Sequence, residues 1–367
     1  MKILLLIDSL GSGGAQRQMV TLASLLKEQG QNVSFLLYAD EPFFQNEVEN
    51  LNIPIHLILT KSYMSRIWQV RKYIRNGKFD AVISFMDTPN FLNNFAAIGG
   101  KSWKVITSER SSQEDFLLSR RGKAFGWFQR FSDVIVCNSY NAKAIWEKHY
   151  PQYKHKLSVI YNPVLLPKIT EEYIPKRNGK VNVVIAASYQ YLKNPLGLIE
   201  AIRLLSNEEK EKLSVNWYGR IEVTNGDTRA YDESVLKIKE YKLDNILTLN
   251  APTKDVSALM HKADVVALLS ELEGLPNAIC EGMSIGKPIL MTKVSDYQEL
   301  VDSSNGVLCD WDNPDSITSS LRYMMERTEN EILSMGHASQ KKANRLFSKG
   351  IISEKWINLV NHTKQKY

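Results

Sequence analysis

The sequence has 367 residues, too many for one ordinary core, and predicts two domains of ~150 to 200 residues each. Hydrophobic residues make up 44% and charged residues 23%, a balance that excludes disordered and fibrous classes. The net charge of +6 concentrates in residues 1–166, which hold 20 Lys and Arg against 13 Asp and Glu. That asymmetry suits nucleic acid, an anionic membrane surface or an acidic substrate, or else a solvated basic face.

The opening segment MKILLLID has an apolar run of only five residues before Asp8, too short for a signal-peptide core. No apolar stretch of ~18 residues follows, so no membrane span is expected. Cys137, Cys280 and Cys309 lie far apart, with no CxxC pair and no His-rich segment. A disulfide framework or zinc site is therefore not expected, and a reducing cytoplasm is the predicted compartment.

In chain order, residues 2–7 read as a buried strand, a Gly-rich turn follows, and 16–30 has helical spacing through Met19, Leu22, Leu25 and Leu26. Further strands are predicted at 33–38, 81–85, 105–108 and 134–138. Alternation of apolar strands with helices predicts a parallel sheet covered on both faces. Residues 162–180 carry Pro163, Pro167, Pro175 and Gly179 without periodicity, and the interdomain linker is expected there. The rhythm then restarts: strand 181–187, helix 195–205, strands 214–218 and 246–249, helix 256–261 and strand 265–269. Residues 351–363 form the last helix, through Ile352, Trp356, Leu359 and Val360. The predicted division is 1–165, 176–346 and a final helical piece 347–367. The fold class is α/β, two Rossmann-like doubly wound domains with a cleft between them. Ligands of such sheets bind at the carboxyl ends of strands.

The strongest motif follows the strand at 265–269 and reads SELEGLPNAICE, from Ser270 to Glu281. Gly274, Leu275, Pro276 and Asn277 form a turn that opens a helix, whose first-turn amides suit sugar hydroxyls and phosphate oxygens. Glu281 lies two turns farther on, where a carboxylate can take both hydroxyls of a ribose. The bland reading makes Glu273 a helix cap and Glu281 a solvated carboxylate.

This segment resembles the signature of the family 4 retaining glycosyltransferases of the GT-B fold, two glutamates separated by seven residues with an EG(F/L)P start. Gly13-Gly14-Ala15, Asn162-Pro163, Lys193-Asn194-Pro195, Asn305-Gly306-Val307 and the stretch from Phe347 to Trp356 resemble other family segments, in the family's order. The resemblance implies that Glu281 binds the donor ribose and Glu273 lies near the donor sugar and phosphate. It also implies that the 274–277 backbone holds the sugar, with Lys193 on the diphosphate. The last helix would cross back to the first domain. The acceptor would lie mainly on the first domain, at Gly13, Gly14, Glu109 and Arg110, with Gly14 also reaching the donor.

Two positions depart from the family. Ser188 stands where relatives carry an arginine that neutralises the diphosphate, a loss of ~1.5–3 kcal/mol unless replaced. Arg220, after a second-domain strand, is the candidate replacement; the alternative is a plain surface residue. Arg110 stands where many relatives carry a histidine facing the transferred sugar. None of His56, His149, His155, His261, His337 and His362 falls there. A guanidinium cannot serve as a general base, so Arg110 is read as a donor to a sugar hydroxyl or the leaving phosphate. The alternative is an ion pair with Glu109 or Glu114 that shapes the loop.

Asp310-Trp311-Asp312 has the DxD spacing of metal-dependent transferases of another fold, but is read as helix-start chemistry with Asn313-Pro314. Gly11 and Gly13 begin a dinucleotide fingerprint that fails at Gln16. Residues 61–78 and 116–130 are basic and rich in aromatics: Lys61, Arg66, Arg71, Lys72, Arg75 and Lys78 with Trp68, then Arg120, Arg121, Lys123 and Arg130 with Trp127. Such stretches suit an anionic membrane interface at ~1 kcal/mol per basic residue, or a solvated face over an apolar core. No recognition motif for nucleic acid accompanies them.

The resemblance thus implies transfer of a hexosyl or N-acetylhexosaminyl unit from a nucleoside diphosphate sugar, read as UDP-linked, with retention. The expected acceptor is a saccharide, lipid-linked, in bacterial surface polysaccharide synthesis. No metal and no cofactor are expected. The protein is expected in the cytoplasm, peripheral on the inner membrane face. The other readings are a GT-B nucleotide-sugar epimerase and a sugar-nucleotide-binding protein without turnover.

Overall fold

The computed structural model describes residues 1–110, 114–166, 171–176, 179–222 and 226–361. Pro167, His362 and the predicted helix end at Thr363 lie outside the described residues. The chain forms two compact units, Met1–Pro163 with Lys349–Tyr367, and Val164–Ser348.

The first unit is built on seven parallel strands: β1 (Lys2–Leu6), β2 (Asn32–Leu37), β3 (Ile55–Leu57), β4 (Ala81–Phe85), β5 (Lys104–Glu109), β6 (Val134–Cys137) and β7 (Leu157–Val159). Their order is β3-β2-β1-β4-β5-β6-β7. The central strands are apolar at nearly every position because helices cover both faces: Ile3, Leu4, Leu5 and Leu6 are all fully buried. Ile3 pairs with Val33 on one side and Ala81 on the other, which sets the register at the centre. One face packs Leu4, Leu6, Leu36, Val82 and Val105 against Ile67, Val70 and Ile74 of the helix Tyr63–Asn76. The last helix, Lys349–Asn361, belongs to this unit. Its Trp356 is buried with its ring 6.1 Å from that of Phe85, Lys104 reaches the Leu359 carbonyl, and Lys349 pairs with Glu28.

The second unit is a six-stranded parallel sheet: β8 (Val181–Ala186), β9 (Leu213–Tyr218), β10 (Leu247–Asn250), β11 (Val265–Leu268), β12 (Ile289–Thr292) and β13 (Gly306–Cys309), in the order β10-β9-β8-β11-β12-β13. Trp217 and Tyr189 are buried with their polar atoms satisfied. Trp217 Nε1 donates to the Ala187 carbonyl at 2.7 Å, and Tyr189 Oη donates to the carbonyls of Trp217 and Asn250 at 2.8 Å. β3, β7, β12 and β13 go beyond the strands predicted from sequence. β3 and β7 are three-residue edge strands, and β12 and β13 are four-residue runs, too short to show a period.

Both sheets reverse their strand order beside the first strand of the unit, between β1 and β4 and between β8 and β11. Crevices at the carboxyl ends of strands open at such switch points. Of the sequence-predicted residues, Gly13 and Gly14 after β1, Ser188 and Lys193 after β8, and Glu273 after β11 follow strands that flank a switch point, while Glu109 and Arg110 follow β5, one strand beyond β4. Among the described residues no helix is long and apolar enough to cross a membrane, and no cluster of His, Cys, Asp and Glu could hold a metal ion.

Candidate donor and acceptor sites

In the second unit the loops after β8 and β11 are joined by a backbone bond from Glu271 N to Leu192 O, 2.9 Å. Lys193 ends a short 3-10 turn, Tyr191–Lys193. Asn194 follows in the left-handed region at φ 65°, which asparagine tolerates, and its side chain caps the helix Pro195–Arg203 by accepting from Gly197 N at 3.1 Å. This tight turn delivers Lys193 Nζ to Glu273 Oε1 at 2.6 Å. Ser270 Oγ donates to the same oxygen at 2.7 Å, and the Ser270 carbonyl accepts from Thr292 Oγ1 at 2.6 Å. Ser295 Oγ fixes the turn further by donating to the Gly274 carbonyl.

Glu273 therefore does not cap the helix that follows it. That helix, Asn277–Ile285, begins at Pro276 with no side-chain cap. Leu275, Ile279 and Cys280 are buried and anchor it, while Gly282 lies against β11 so closely that an added Cβ would stand 2.8 Å from Val266 Cβ. Glu281 is half-buried and Asn277 exposed.

Ser188 is half-buried and its Oγ accepts from Gln190 Nε2 at 3.0 Å. Arg220 sits on the neighbouring strand end, where its carbonyl accepts from Tyr189 N at 3.0 Å. Its side chain is exposed and bonds to no described residue. Gly219, just before it, is required by packing: a Cβ there would stand 1.9 Å from the Ala187 carbonyl oxygen. The two loops thus touch through their backbones, which brings Arg220 and Ser188 onto adjacent strand ends.

In the first unit Gly13 precedes the helix Gly14–Glu28, which also has no side-chain cap. A Cβ on Gly14 would meet nothing within 4 Å, so its bareness leaves space instead of relieving a clash. Gln16, where the dinucleotide fingerprint fails, is buried and donates to Asp8 Oδ1 at 2.9 Å.

Glu109 ends β5 and is buried. Its Oε1 accepts from Asn90 Nδ2 at 3.0 Å and from Gln129 Nε2 at 2.9 Å. Burial, and secondarily the nearby Asp87 charge, push its carboxyl up to about 8. Arg110 donates from Nη1 to Asn162 Oδ1 at 2.6 Å and lies 3.6 Å from the centroid of the Phe85 ring. Burial lowers its guanidinium to about 9, against the pull of Cys137 and Glu109. Among the described residues Arg110 Nε has no hydrogen-bond partner. No ion pair joins Arg110 to Glu109 or Glu114; Glu114 pairs with Lys148 and His149 instead.

Several residues here escape sequence reasoning: Ser270, Thr292, Asn90, Gln129 and Asp87. Met86 is another. It stands between β4 and the helix Asp87–Ala97 at φ 77°, a conformation costly for any residue but glycine. Each is an ordinary residue type that only the fold brings to a strand end.

The DxD stretch does what helix-start chemistry requires. Asn313 caps the helix Pro314–Glu326 and Lys293 pairs with Asp310 at 2.8 Å. The basic stretches divide. Arg71 and Arg75 are spent on carbonyls at the end of the helix Asp87–Ala97, from Phe95 O at 2.6 Å to Gly100 O at 2.8 Å. Trp68 and Trp127 are exposed, by 57% and 51%, and linked through edge and tilted contacts with Phe95 and Phe128. The two stretches therefore share one aromatic face, with exposed Lys72, Arg120, Arg121, Lys123 and Arg130 nearby in the chain.

Known proteins resemble the chain throughout. A family described as Glycosyltransferase Family 4 matches residues 12–166, and one described as Glycosyl transferases group 1 matches residues 169–342. The chain is 26% identical over 381 residues, 99% of each chain, to a Campylobacter jejuni protein. Its name is GalNAc-alpha-(1->4)-GalNAc-alpha-(1->3)-diNAcBac-PP-undecaprenol alpha-1,4-N-acetyl-D-galactosaminyltransferase. It is 22% identical over 345 residues, 89% of this chain and 90% of the other, to a second protein of that organism. That one is named N-acetylgalactosamine-N,N'-diacetylbacillosaminyl-diphospho-undecaprenol 4-alpha-N-acetylgalactosaminyltransferase. Among solved structures, Anabaena Alr3699/HepE in complex with UDP matches with a TM-score of 0.84 at 17% identity, over 99% of this chain and 100% of that one. With both halves matched in order and both sheets in place, the chain belongs to the family 4 glycosyltransferases of the GT-B fold.

Proposed function

We propose that the protein transfers a hexosyl or N-acetylhexosaminyl unit, with retention, from a UDP-sugar to a lipid-linked saccharide in bacterial surface polysaccharide synthesis. The observation that carries this reading is the Lys193–Glu273–Ser270 cluster at the β8/β11 switch point, directly ahead of an uncapped helix. Lys193 supplies positive charge for a diphosphate, the turn 274–277 presents backbone to the sugar, and Glu281 lies two turns along for the ribose. The names of the Campylobacter jejuni relatives, which act on undecaprenyl-linked glycans, support the acceptor class. The UDP bound to the Anabaena protein supports the base.

The chemistry follows from which groups are present. The acceptor hydroxyl oxygen attacks the anomeric carbon on the face that the diphosphate leaves. The carbon–oxygen bond to phosphate breaks, and the acceptor proton passes to the departing phosphate oxygen. Arg110 is a poor proton acceptor and donates to a sugar hydroxyl or that phosphate. Neutralisation by Lys193, Arg220 and helix amides makes a metal unnecessary. The Trp68–Trp127 face, with its lysines and arginines, suits an anionic membrane surface on which a lipid-linked acceptor resides.

A thermal-shift panel of nucleotides and nucleotide sugars tests this reading. Stabilisation grows as RT ln(1 + [L]/Kd), so the preferred base and sugar give the largest rise in Tm. No shift with any uridine nucleotide would refute the donor assignment.

A further inference from the structure

One face of β9 is left half open. A strand inside a doubly wound sheet is apolar on both faces when helices cover both. β9 alternates instead: Leu213, Val215 and Trp217 are fully buried in the core, while Ser214, Asn216 and Tyr218 are half-buried. Asn216 pairs in register with Val184 of β8, and Asn182 lies two residues earlier on the same face. These residues floor a groove of about 530 Å³, within the ~300–1,000 Å³ usual for small-molecule sites. Neither the Asn216 amide nor the Tyr218 hydroxyl bonds to a described residue, so the floor presents unused polar groups.

The walls of the groove are fixed. One is the strap of residues 171–176, tied down by the buried Asp264 carboxylate. Asp264 Oδ1 accepts from Tyr173 Oη at 2.6 Å and from Lys176 N at 2.8 Å, and Oδ2 accepts from Asn182 N at 2.7 Å. Lys287 Nζ lies 3.0 Å from the centroid of the Tyr173 ring. The other wall is the helix Val256–Lys262, whose Lys262 pairs with Glu171 at 2.9 Å. Walls held in this way exist before a ligand arrives, which lowers the ordering cost of binding. The lining carries two carboxylates, Glu171 and Glu172, against one ammonium, Lys262. That balance disfavours phosphates, nucleic acid and anionic lipid, and suits a neutral ligand.

An amide offers donors and an acceptor together, and so does a phenol. The hydroxyls of a pyranose pair with both kinds at once, and its C–H face packs on an aromatic ring. We propose that this groove is a second saccharide site, which holds a neutral glycan by hydrogen bonds to Asn216 and Tyr218. It shares no lining residue with the Lys193–Glu273–Ser270 cluster or with Glu281. Resting on the glycosyltransferase reading, the groove retains an acceptor glycan of several sugars between transfers. It therefore acts on acceptor length and leaves the donor chemistry alone.

Two measurements on the full chain test this. Chitotetraose and maltotetraose, neutral oligosaccharides of an N-acetylhexosamine and of a hexose, are titrated calorimetrically into the protein with and without saturating UDP. At least one should bind at up to millimolar concentration in both conditions. Asn216→Ala should weaken that binding ~10-fold with UDP affinity unchanged, and Asn216→Thr should do the same without weakening the strand. Failure of both oligosaccharides to bind, or binding that both Asn216 variants leave intact, overturns the proposal. Binding that UDP abolishes overturns it too, because the sugar then occupies the strand-end site. In transfer assays Asn216→Ala should raise KM ~10-fold for a multi-sugar undecaprenyl-diphosphate acceptor, leaving kcat and the KM of a single-sugar acceptor unchanged. An equal effect on the two acceptors overturns the retention role. If the wild type transfers no sugar at all, the functional reading fails, while calorimetry still decides whether the groove holds a saccharide.

Discussion

Lys193 and Glu273 stand 80 residues apart in sequence, yet their Nζ and Oε1 atoms lie 2.6 Å apart with both side chains largely withdrawn from solvent. The two loops of the β8/β11 switch point meet in this ion pair and in the backbone bond from Glu271 N to Leu192 O. The two members of the pair are satisfied by each other and by Ser270, so a diphosphate that takes Lys193 competes with Glu273 for it. Glu273→Gln should therefore tighten UDP binding, by ~3- to 10-fold, while lowering sugar transfer. Lys193→Met should weaken UDP binding by roughly 10- to 100-fold. Isothermal calorimetry reads both, and a Glu273→Gln variant that binds UDP more weakly than wild type would show that the pair does not compete with the nucleotide.

Arg220 and the half-buried Ser188 lie on adjacent loops joined by the backbone bond from Tyr189 N to Arg220 O. If Arg220 replaces the missing cation, Arg220→Ala weakens UDP binding by about 10- to 100-fold. Restoring a cation at the other position, Ser188→Arg on the Arg220→Ala background, recovers part of that loss. Unchanged UDP affinity in Arg220→Ala eliminates it as a phosphate ligand.

The doubly wound class and the turn-and-helix that carries Glu273 and Glu281 were legible in the sequence because both are local. Apolar strands alternate with helices, and the two glutamates sit on one turn and the helix it opens. The partner of Glu273 was not legible, since Ser270 is a common residue and Lys193 comes from another strand. The Asn90–Gln129–Glu109 network was hidden for a different reason. Asparagine and glutamine in a helical pattern read as a solvated face, and only the sheet above them turns that face inward. Composition also flagged Arg71 and Arg75 without showing that their guanidinium groups are committed to the carbonyls of a neighbouring helix. Strain at Met86 leaves no trace in residue type at all.

Two glycines separate packing from ligand access. Gly219→Ala brings a Cβ to 1.9 Å from a carbonyl oxygen, and the fold should lose about 1–3 kcal/mol as the loop shifts. Gly14→Ala faces open space at the first position of a helix, where the added methyl meets no atom within 4 Å and alanine narrows the unfolded chain. Its Tm should hold or rise while transfer falls, because the methyl group fills space reserved for substrate. Thermal unfolding and a transfer assay on both variants check the contrast, which disappears if Gly14→Ala retains full activity.

The proposed membrane contact is testable at the aromatic face. Trp68→Ser with Trp127→Ser removes two rings exposed by 57% and 51% and should lower partitioning onto phosphatidylglycerol vesicles by ~10-fold or more, leaving soluble-nucleotide binding intact. Co-sedimentation measures it. Equal partitioning of wild type and variant would place the membrane contact elsewhere or remove it.

The central claim is retention during transfer from the Lys193–Glu273 site. Its most direct test supplies the full chain with the UDP-sugar that stabilises it most and an undecaprenyl-diphosphate glycan, then reads the anomeric configuration of the new linkage by NMR. An α-linked donor should yield an α-linked product in wild type, and Glu273→Ala should yield little of it. A β-linked product, or free sugar with the acceptor untouched, would contradict the account.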